Sequence, residues 1–390
     1  MVYLQKNQYN AFITVADARR KEKGRLSSLT FGVKDNIDVK GLPTTAASRI
    51  LRGNMPEKNA LIVDRILDEG GRIVGKTNMH EFAIGATTTS TAAGPCLNPR
   101  NPAHITGGSS GGSAACVASG EADVGIGTDT GGSVRLPAAL CGVIGFKPTT
   151  GIIPDEGVVP LSRTLDAVGI LGRRMDDVEL VFETILGRRR VEVEWVGSER
   201  KPKIGLYMFG TDAVSHRVRE FVDGLKDSFD FSPVDIPLLA KEGPRLRRTV
   251  SSYEGARFHS KWMEKRSSEY FPDVLSVLRG GSKTTDEQYG QARVELQALR
   301  EDFEEKMKGY DALLSPTVTQ TAPLIATVLG HEADYRSLLA VTELFNATGS
   351  PSISLPVGEI EGLPVGLMVS GAFNCDFKTL SVAKILSGRN

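Results

Sequence analysis

Residues 107–148 read GGSSGGSAACVASGEADVGIGTDTGGSVRLPAALCGVIGFKP, and the rest of the chain is best read outward from them. The segment holds two serine-bearing glycine loops. The first is Gly107-Gly108-Ser109-Ser110-Gly111-Gly112-Ser113, and the second is Thr130-Gly131-Gly132-Ser133. Glycine lets the backbone take conformations that other residues resist, and it lets a substrate come close. Successive N–H groups in such a turn can converge on one point and stabilise an oxyanion. A serine at the end of the turn is placed to attack a carbonyl. Pro137, just beyond, suits the first turn of a following helix. The spacing predicts helices over 113–119 and 134–140, with a strand over 123–127 between them.

Upstream, residues 8–23 read as an amphipathic helix and 29–33 as a short strand. Residues 60–69 (ALIVDRILDE) carry apolar side chains at helical spacing and stop at Gly70-Gly71, and 72–74 read as a buried strand. Downstream, 187–203 is charged and irregular, which predicts a linker or surface excursion. Strands follow at 203–207, 311–315, 352–355 and 365–369, and 213–310 reads as largely helical with charged faces. Short buried strands alternating with helices predict an α/β fold, one sheet covered on both faces.

The totals narrow the function. A chain of 390 residues can bury a large core. Lys+Arg and Asp+Glu both number 47, so the basic excess of a dedicated nucleic-acid binder is missing, and no direct nucleic-acid partner is expected. The runs Arg188-Arg189-Arg190 and Arg245-Leu246-Arg247-Arg248 read as solvated faces. Cys96, Cys116, Cys141 and Cys375 form no CxxC pair and read as core residues. The five histidines show no ligand spacing, so no metal is expected. Residues 1–10 are polar, which predicts no secretory signal. No run of about 18 apolar residues exists, so no spanning helix and no membrane association are expected. A cytoplasmic location follows as the expectation.

Further motifs carry a family resemblance. Gly32-Val33-Lys34-Asp35-Asn36 and Gly75-Lys76-Thr77-Asn78-Met79-His80-Glu81-Phe82 lie upstream of the serine loops. Val159-Pro160-Leu161-Ser162-Arg163-Thr164-Leu165-Asp166 and Ser315-Pro316-Thr317 lie downstream. In this order and with the serine loops between them, they resemble the amidase signature family over most of the chain, while 187–310 carries little of the likeness. The resemblance implies a single α/β domain over residues 1–390, with a large mixed β-sheet flanked by helices on both faces. It implies Ser133 as nucleophile, Ser109 as bridging serine and Lys34 as base. It also implies an oxyanion hole from the backbone N–H groups of Thr130, Gly131, Gly132 and Ser133. Met79, Ser110, Thr87, Thr88 and the loop 86–91 are implied around the acyl pocket or shaping it, and Asp129 and Arg135 as the holders of the turns. The helices between 213 and 310 are expected to roof the site.

The chemistry can be argued without the resemblance. A serine hydroxyl is a weak nucleophile without a base. An ammonium cannot accept a proton, so Lys34 must be neutral, and burial beside Phe31 and Val33 would lower its pKa. Ser109 then relays the proton, and no cofactor is needed. The expected reaction is hydrolysis of a small-molecule amide through an acyl-enzyme. Rival readings remain open. One is the glutaminase component (the A subunit) of a tRNA-dependent amidotransferase, which uses the same residues to take ammonia from glutamine and works with partner subunits. Against it stand His80, where those proteins carry an acid, and the run Val158-Val159-Pro160-Leu161-Ser162. An ungapped reading also puts Leu339 where they use an aspartate. A stand-alone enzyme could be a homodimer. A remote alternative is nucleotide binding at 70–77 (GGRIVGKT), which fits GxxxxGK[ST] but follows a helix and holds a probable strand inside the pattern. Gly107-Gly108-Ser109-Ser110-Gly111 also fits the GxSxG elbow, yet 101–106 is no strand, and His216, His259 and His331 sit in unremarkable polar settings.

Overall fold

Val124-Gly125-Ile126-Gly127 sits in an interior strand of the sheet and explains how the two serine loops reach it. In this computed structural model, which describes residues 7–187, 201–208, 212–225 and 229–388, Val124 and Ile126 enter the main apolar core. Gly125 and Gly127 face the other way, because side chains alternate along a strand. A Cβ on Gly125 would stand 2.6 Å from the Ser113 carbonyl oxygen, and one on Gly127 would stand 2.8 Å from Ser110 Oγ. The missing side chains let the helix that follows the first serine loop lie directly on the sheet. Gly125→Ala is therefore expected to cost about 1–3 kcal/mol in denaturant unfolding, since a backbone oxygen cannot move aside.

The strands are β1 (Phe12–Ala18), β2 (Thr30–Lys34), β3 (Arg72–Thr77), β4 (Val124–Asp129), β5 (Ile144–Lys147) and β6 (Ala167–Gly172). They continue with β7 (Lys203–Leu206), β8 (Asp230–Pro233), β9 (Ala312–Pro316), β10 (Ser352–Ile360) and β11 (Leu363–Ser370). Among the described residues these eleven form one mixed sheet, in the order β1-β3-β2-β4-β6-β5-β10-β11-β9-β7-β8. β2 runs parallel to both β3 and β4, and β7 parallel to β8 and β9. The other pairings are antiparallel.

The helices are α1 (Leu61–Asp68), α2 (Gly111–Ala118), α3 (Arg135–Cys141), α4 (Met175–Leu186), α5 (Ala213–Asp223) and α6 (Pro237–Arg266). After them come α7 (Pro272–Gly281), α8 (Asp286–Met307), α9 (Ile325–Val328), α10 (Thr342–Ala347) and α11 (Asp376–Ser387). α1, α4, α5 and α11 pack their apolar stripes into one core with Val124, Ile126 and Ile353. α2 and α3 cover the opposite face near β4, and α6, α8 and α10 form a second core there with Leu313 and Met368. The fold is thus the expected α/β arrangement, a large mixed sheet flanked by helices.

One expectation is corrected. Residues 8–23 are not a helix, because 12–18 form edge strand β1, paired antiparallel to β3. The β-branched run Ile13-Thr14-Val15 favours a pleated surface, and Phe12 is buried while Val15 is exposed. Arg72 on β3 pairs with Asp17 on β1 at 2.7 Å. β5 and β6, which sequence periodicity does not announce, complete the sheet between β4 and β10. The arginine run 188–190, most of the expected linker and residues 1–6 lie outside the described residues. Among the described residues no helix is long and apolar enough to cross a membrane.

Candidate active site

Lys34 ends β2, and its amine is fully buried between β4 and the first serine loop. Its Nζ lies 2.7 Å from Ser109 Oγ. It donates to Thr128 Oγ1 at 2.7 Å and to the Thr128 carbonyl at 3.2 Å. Burial drives its pKa down to about 7, against the pull of Asp166 and Asp129. A large share of the amine is therefore neutral near neutral pH.

Ser133 stands 24 residues beyond Ser109, where the glycine turn leads into α3. It retains 5% exposure and opens onto a cleft of about 430 Å³. The Ser109 backbone N–H donates to Ser133 Oγ at 3.1 Å, and the Ser110 N–H donates to the Ser133 carbonyl at 3.2 Å. The structure thus gathers Lys34, Ser109 and Ser133 in one place. The Ser133 hydroxyl meets the backbone of Ser109 and not its hydroxyl.

A buried carboxylate fixes the turn. Asp129 Oδ1 accepts from Gly132 N–H at 2.8 Å and Oδ2 from Val134 N–H at 3.0 Å. The Arg135 guanidinium reaches the two oxygens at 2.9 and 3.1 Å, and Asn346 Nδ2 donates at 2.8 Å. Burial alone would raise this carboxyl, but the Arg135 charge overrides it and holds it well below the usual carboxylate range. Arg135 also donates to the Thr342 carbonyl at 2.9 Å and to Asn346 Oδ1 at 2.6 Å. Because Gly132 N–H is spent on Asp129, the donors left without a described acceptor are those of Thr130, Gly131 and Ser133. Gly132 has φ +134°, and a Cβ there would meet Thr342 Oγ1 at 2.0 Å. Only glycine fits that turn. Asp166, on the other side, accepts from Thr130 Oγ1 at 2.5 Å and from the Leu161 and Ser162 N–H groups at 2.9 and 3.0 Å. Burial lifts its pKa to about 6.

The cleft is walled on one side by residues 83–86 and on another by Thr130, Gly131 and Leu161. α6 supplies Arg245, Arg247, Arg248, Thr249, Ser251 and Ser252, and α7 supplies Ser276, Val277, Gly280 and Gly281. Thr284, Arg336 and Leu339 complete the rim. Met79, Ser110, Thr87 and Thr88 do not line this cleft and are fully buried a layer behind it. Met79 packs in the core beside Phe82. Ser110 Oγ donates to the Thr128 carbonyl at 3.1 Å, and Thr88 Oγ1 to Gly108 O at 2.8 Å. Thr87 Oγ1 bonds Thr89 Oγ1 at 2.8 Å. These are contacts that shape the loops.

Several partners in this network escaped the reading of the sequence. Thr128 precedes the turn in plain sight, but only folding aims it at Lys34. Arg247, Glu343, Thr342 and Asn346 come from distant segments with no motif of their own. The rival motifs look different in three dimensions. Residues 70–77 run from a helix end directly into β3, the reverse of a phosphate loop's strand, loop and helix. Arg72–Thr77 hold ladder pairings with β1 and β2. His259 is buried against Tyr270 at 2.8 Å, His331 lies 3.6 Å from Asp334, and neither lines the cleft.

The model of the Amidase family matches residues 6–380. The chain belongs to the amidase family. It is a hydrolase acting on carbon–nitrogen bonds. Among curated proteins this amidase is similar to the A subunit of the Glutamyl-tRNA(Gln) amidotransferase of Archaeoglobus fulgidus. The two are 32% identical, over 99% of this chain and 93% of that one. Among solved structures it resembles an amidase with a TM-score of 0.86 and 33% identity, over 94% of this chain and 86% of the other. It also resembles the A subunit of the Glutamyl-tRNA(Gln) amidotransferase of Thermotoga maritima, with a TM-score of 0.82 and 28% identity, over 95% and 85% of the two chains.

Proposed function

We propose that this amidase hydrolyses a carboxamide through an acyl-enzyme on Ser133, with Ser109 carrying the proton and Lys34 receiving it. The observation that carries this reading is the buried Lys34 amine with a pKa near 7, 2.7 Å from the hydroxyl of Ser109. For attack, the Ser133 hydroxyl leaves the Ser109 N–H and turns about one bond toward Ser109 Oγ. Its proton passes to Ser109 as that of Ser109 passes to Lys34, and Ser133 Oγ bonds to the amide carbon. The N–H groups of Thr130, Gly131 and Ser133 are the candidate donors to the oxyanion. The proton returns along the same path to the leaving nitrogen, the C–N bond breaks, and water repeats the sequence on the ester. A fluorophosphonate probe is expected to leave a single adduct, mapped by peptide mass spectrometry to Ser133. An adduct on Ser109 would reverse the two serine roles.

The cleft supports turnover by the chain alone. Leu339 lies on its wall beside Gly132, and no carboxylate lines it among the described residues. The ammonium of glutamine would lose its solvation there without gaining a partner. A second reading is favoured by the comparisons. The likeness to the glutamyl-tRNA(Gln) amidotransferase component extends over nearly the whole chain and supports glutamine as the amide, with partner subunits present. Ammonia release from glutamine and from simple amides, with and without such partners, separates the two. Turnover of simple amides by the isolated chain supports the first. Ammonia released only from glutamine, and only with partners, supports the second.

A further inference from the structure

The cleft that opens on Ser133 is lined by four guanidinium groups and, among the described residues, by no carboxylate. The four differ in how far their charge is already met. Arg247 is buried and spent on Glu343, at 2.9 and 2.8 Å. Its Nη1 lies 3.0 Å from the position a Cβ on Gly131 would take, so it backs the turn. Arg245 pairs with Glu242 and Glu295, each at 2.9 Å. Arg248 Nε donates to the Pro244 carbonyl of its own helix at 2.9 Å, and no carboxylate pairs with it among the described residues. Arg336, from the separate segment Glu332–Leu339, also lines the cleft and has no hydrogen bond or ion pair among the described residues. Two uncompensated cations thus look into one cleft from two separate segments, next to apolar Leu161, Val277 and Leu339.

We infer that Arg248 and Arg336 read a carboxylate on the substrate, so that the amide cleaved at Ser133 belongs to a molecule with an anionic group at the far end of its acyl chain. This rests on the amide hydrolysis proposed above and names its substrate class. A guanidinium fork suits a carboxylate, because two parallel N–H donors match its two oxygens. Cations lining a cleft also raise the local concentration of anions before any contact forms. Nothing in the lining described would meet a cation on the same substrate.

Glutaramate, glutamine and pentanamide form a matched series. Glutamine adds an α-ammonium to glutaramate, and pentanamide lacks the carboxylate. Binding is measured by calorimetry on Ser133→Ala protein, so that it does not depend on turnover. Glutaramate is expected to bind at least about tenfold more tightly than pentanamide. Arg248→Gln and Arg336→Gln should each remove most of that preference, weakening glutaramate far more than pentanamide. Raised ionic strength should weaken glutaramate alone. Equal binding of glutaramate and pentanamide, or variants that keep the preference, would overturn the inference. Turnover by the native chain tests the underlying reading separately. Tight glutaramate binding with no hydrolysis would fault the amidase chemistry and uphold the carboxylate site, while rapid cleavage of pentanamide with no anion preference would do the reverse.

Discussion

Lys34→Ala is expected to lower kcat by at least about a thousandfold, with little change in KM. No water can take the place of an amine that is fully buried and holds Ser109 Oγ at 2.7 Å. The pH profile of the native chain should carry the same signature. Burial lowers the lysine pKa to about 7, and only the neutral amine accepts a proton. Activity should therefore rise as pH passes upward through about 7, then level off. Stability has the same sign at this site, because the folded pKa lies below the unfolded value. Between them unfolding takes up a proton, so the Lys34 contribution to stability improves as pH rises and is worst below about 7. Lys34→Met fills the space without the amine. It should keep its Tm to within a few degrees while losing activity, which a purely structural role would not allow. Near-normal turnover in either variant would remove Lys34 from the mechanism.

Asp129→Ala is expected to destabilise the fold by about 3–5 kcal/mol, because it strands the buried Arg135 guanidinium without its counter-charge. The same change deprives Gly132 and Val134 N–H of their acceptor, so the turn that presents Ser133 should loosen. Activity is expected to fall by more than about a hundredfold. Urea denaturation with and without the substitution measures the first effect, and single-turnover kinetics the second. A loss below about 1 kcal/mol would mean that the Asp129–Arg135 pair is not what holds the turn. Acid should act on the native chain in the same direction. Burial would raise the Asp129 carboxyl, but Arg135 holds it well below the usual range. Its stabilisation is fully present above the ordinary aspartate pKa and is lost progressively as pH falls from there through the lowered folded value.

The folded molecule also shows why the reading of residues 8–23 failed. Their apolar residues fit a helical stripe and a pleated edge about equally, and an isolated edge strand has no second partner to sharpen the pattern. What fixed the outcome was β3 lying beside them. The strands β5 and β6 were hidden for a related reason. Ile144-Gly145-Phe146-Lys147 and Ala167–Gly172 are buried on both faces, so they show no alternation to read. The placement of Met79, Thr87 and Thr88 behind the cleft is a matter of depth, which no spacing along the chain records.

By itself the sequence determined the class of fold, the family, and that Lys34 and Ser109 would meet near Ser133. Those groups sit in short, ordered glycine-rich motifs whose local backbone demands are nearly self-sufficient. The tertiary structure alone decided three things. It buried the Lys34 amine deeply enough to bring its pKa down to about 7. It spent Gly132 N–H on Asp129. It also brought Arg248 and Arg336, 88 positions apart, to the lining of one cleft. Burial, hydrogen-bond commitment and long-range juxtaposition depend on what packs from elsewhere in the chain, and an α/β sheet brings together residues that share no local pattern.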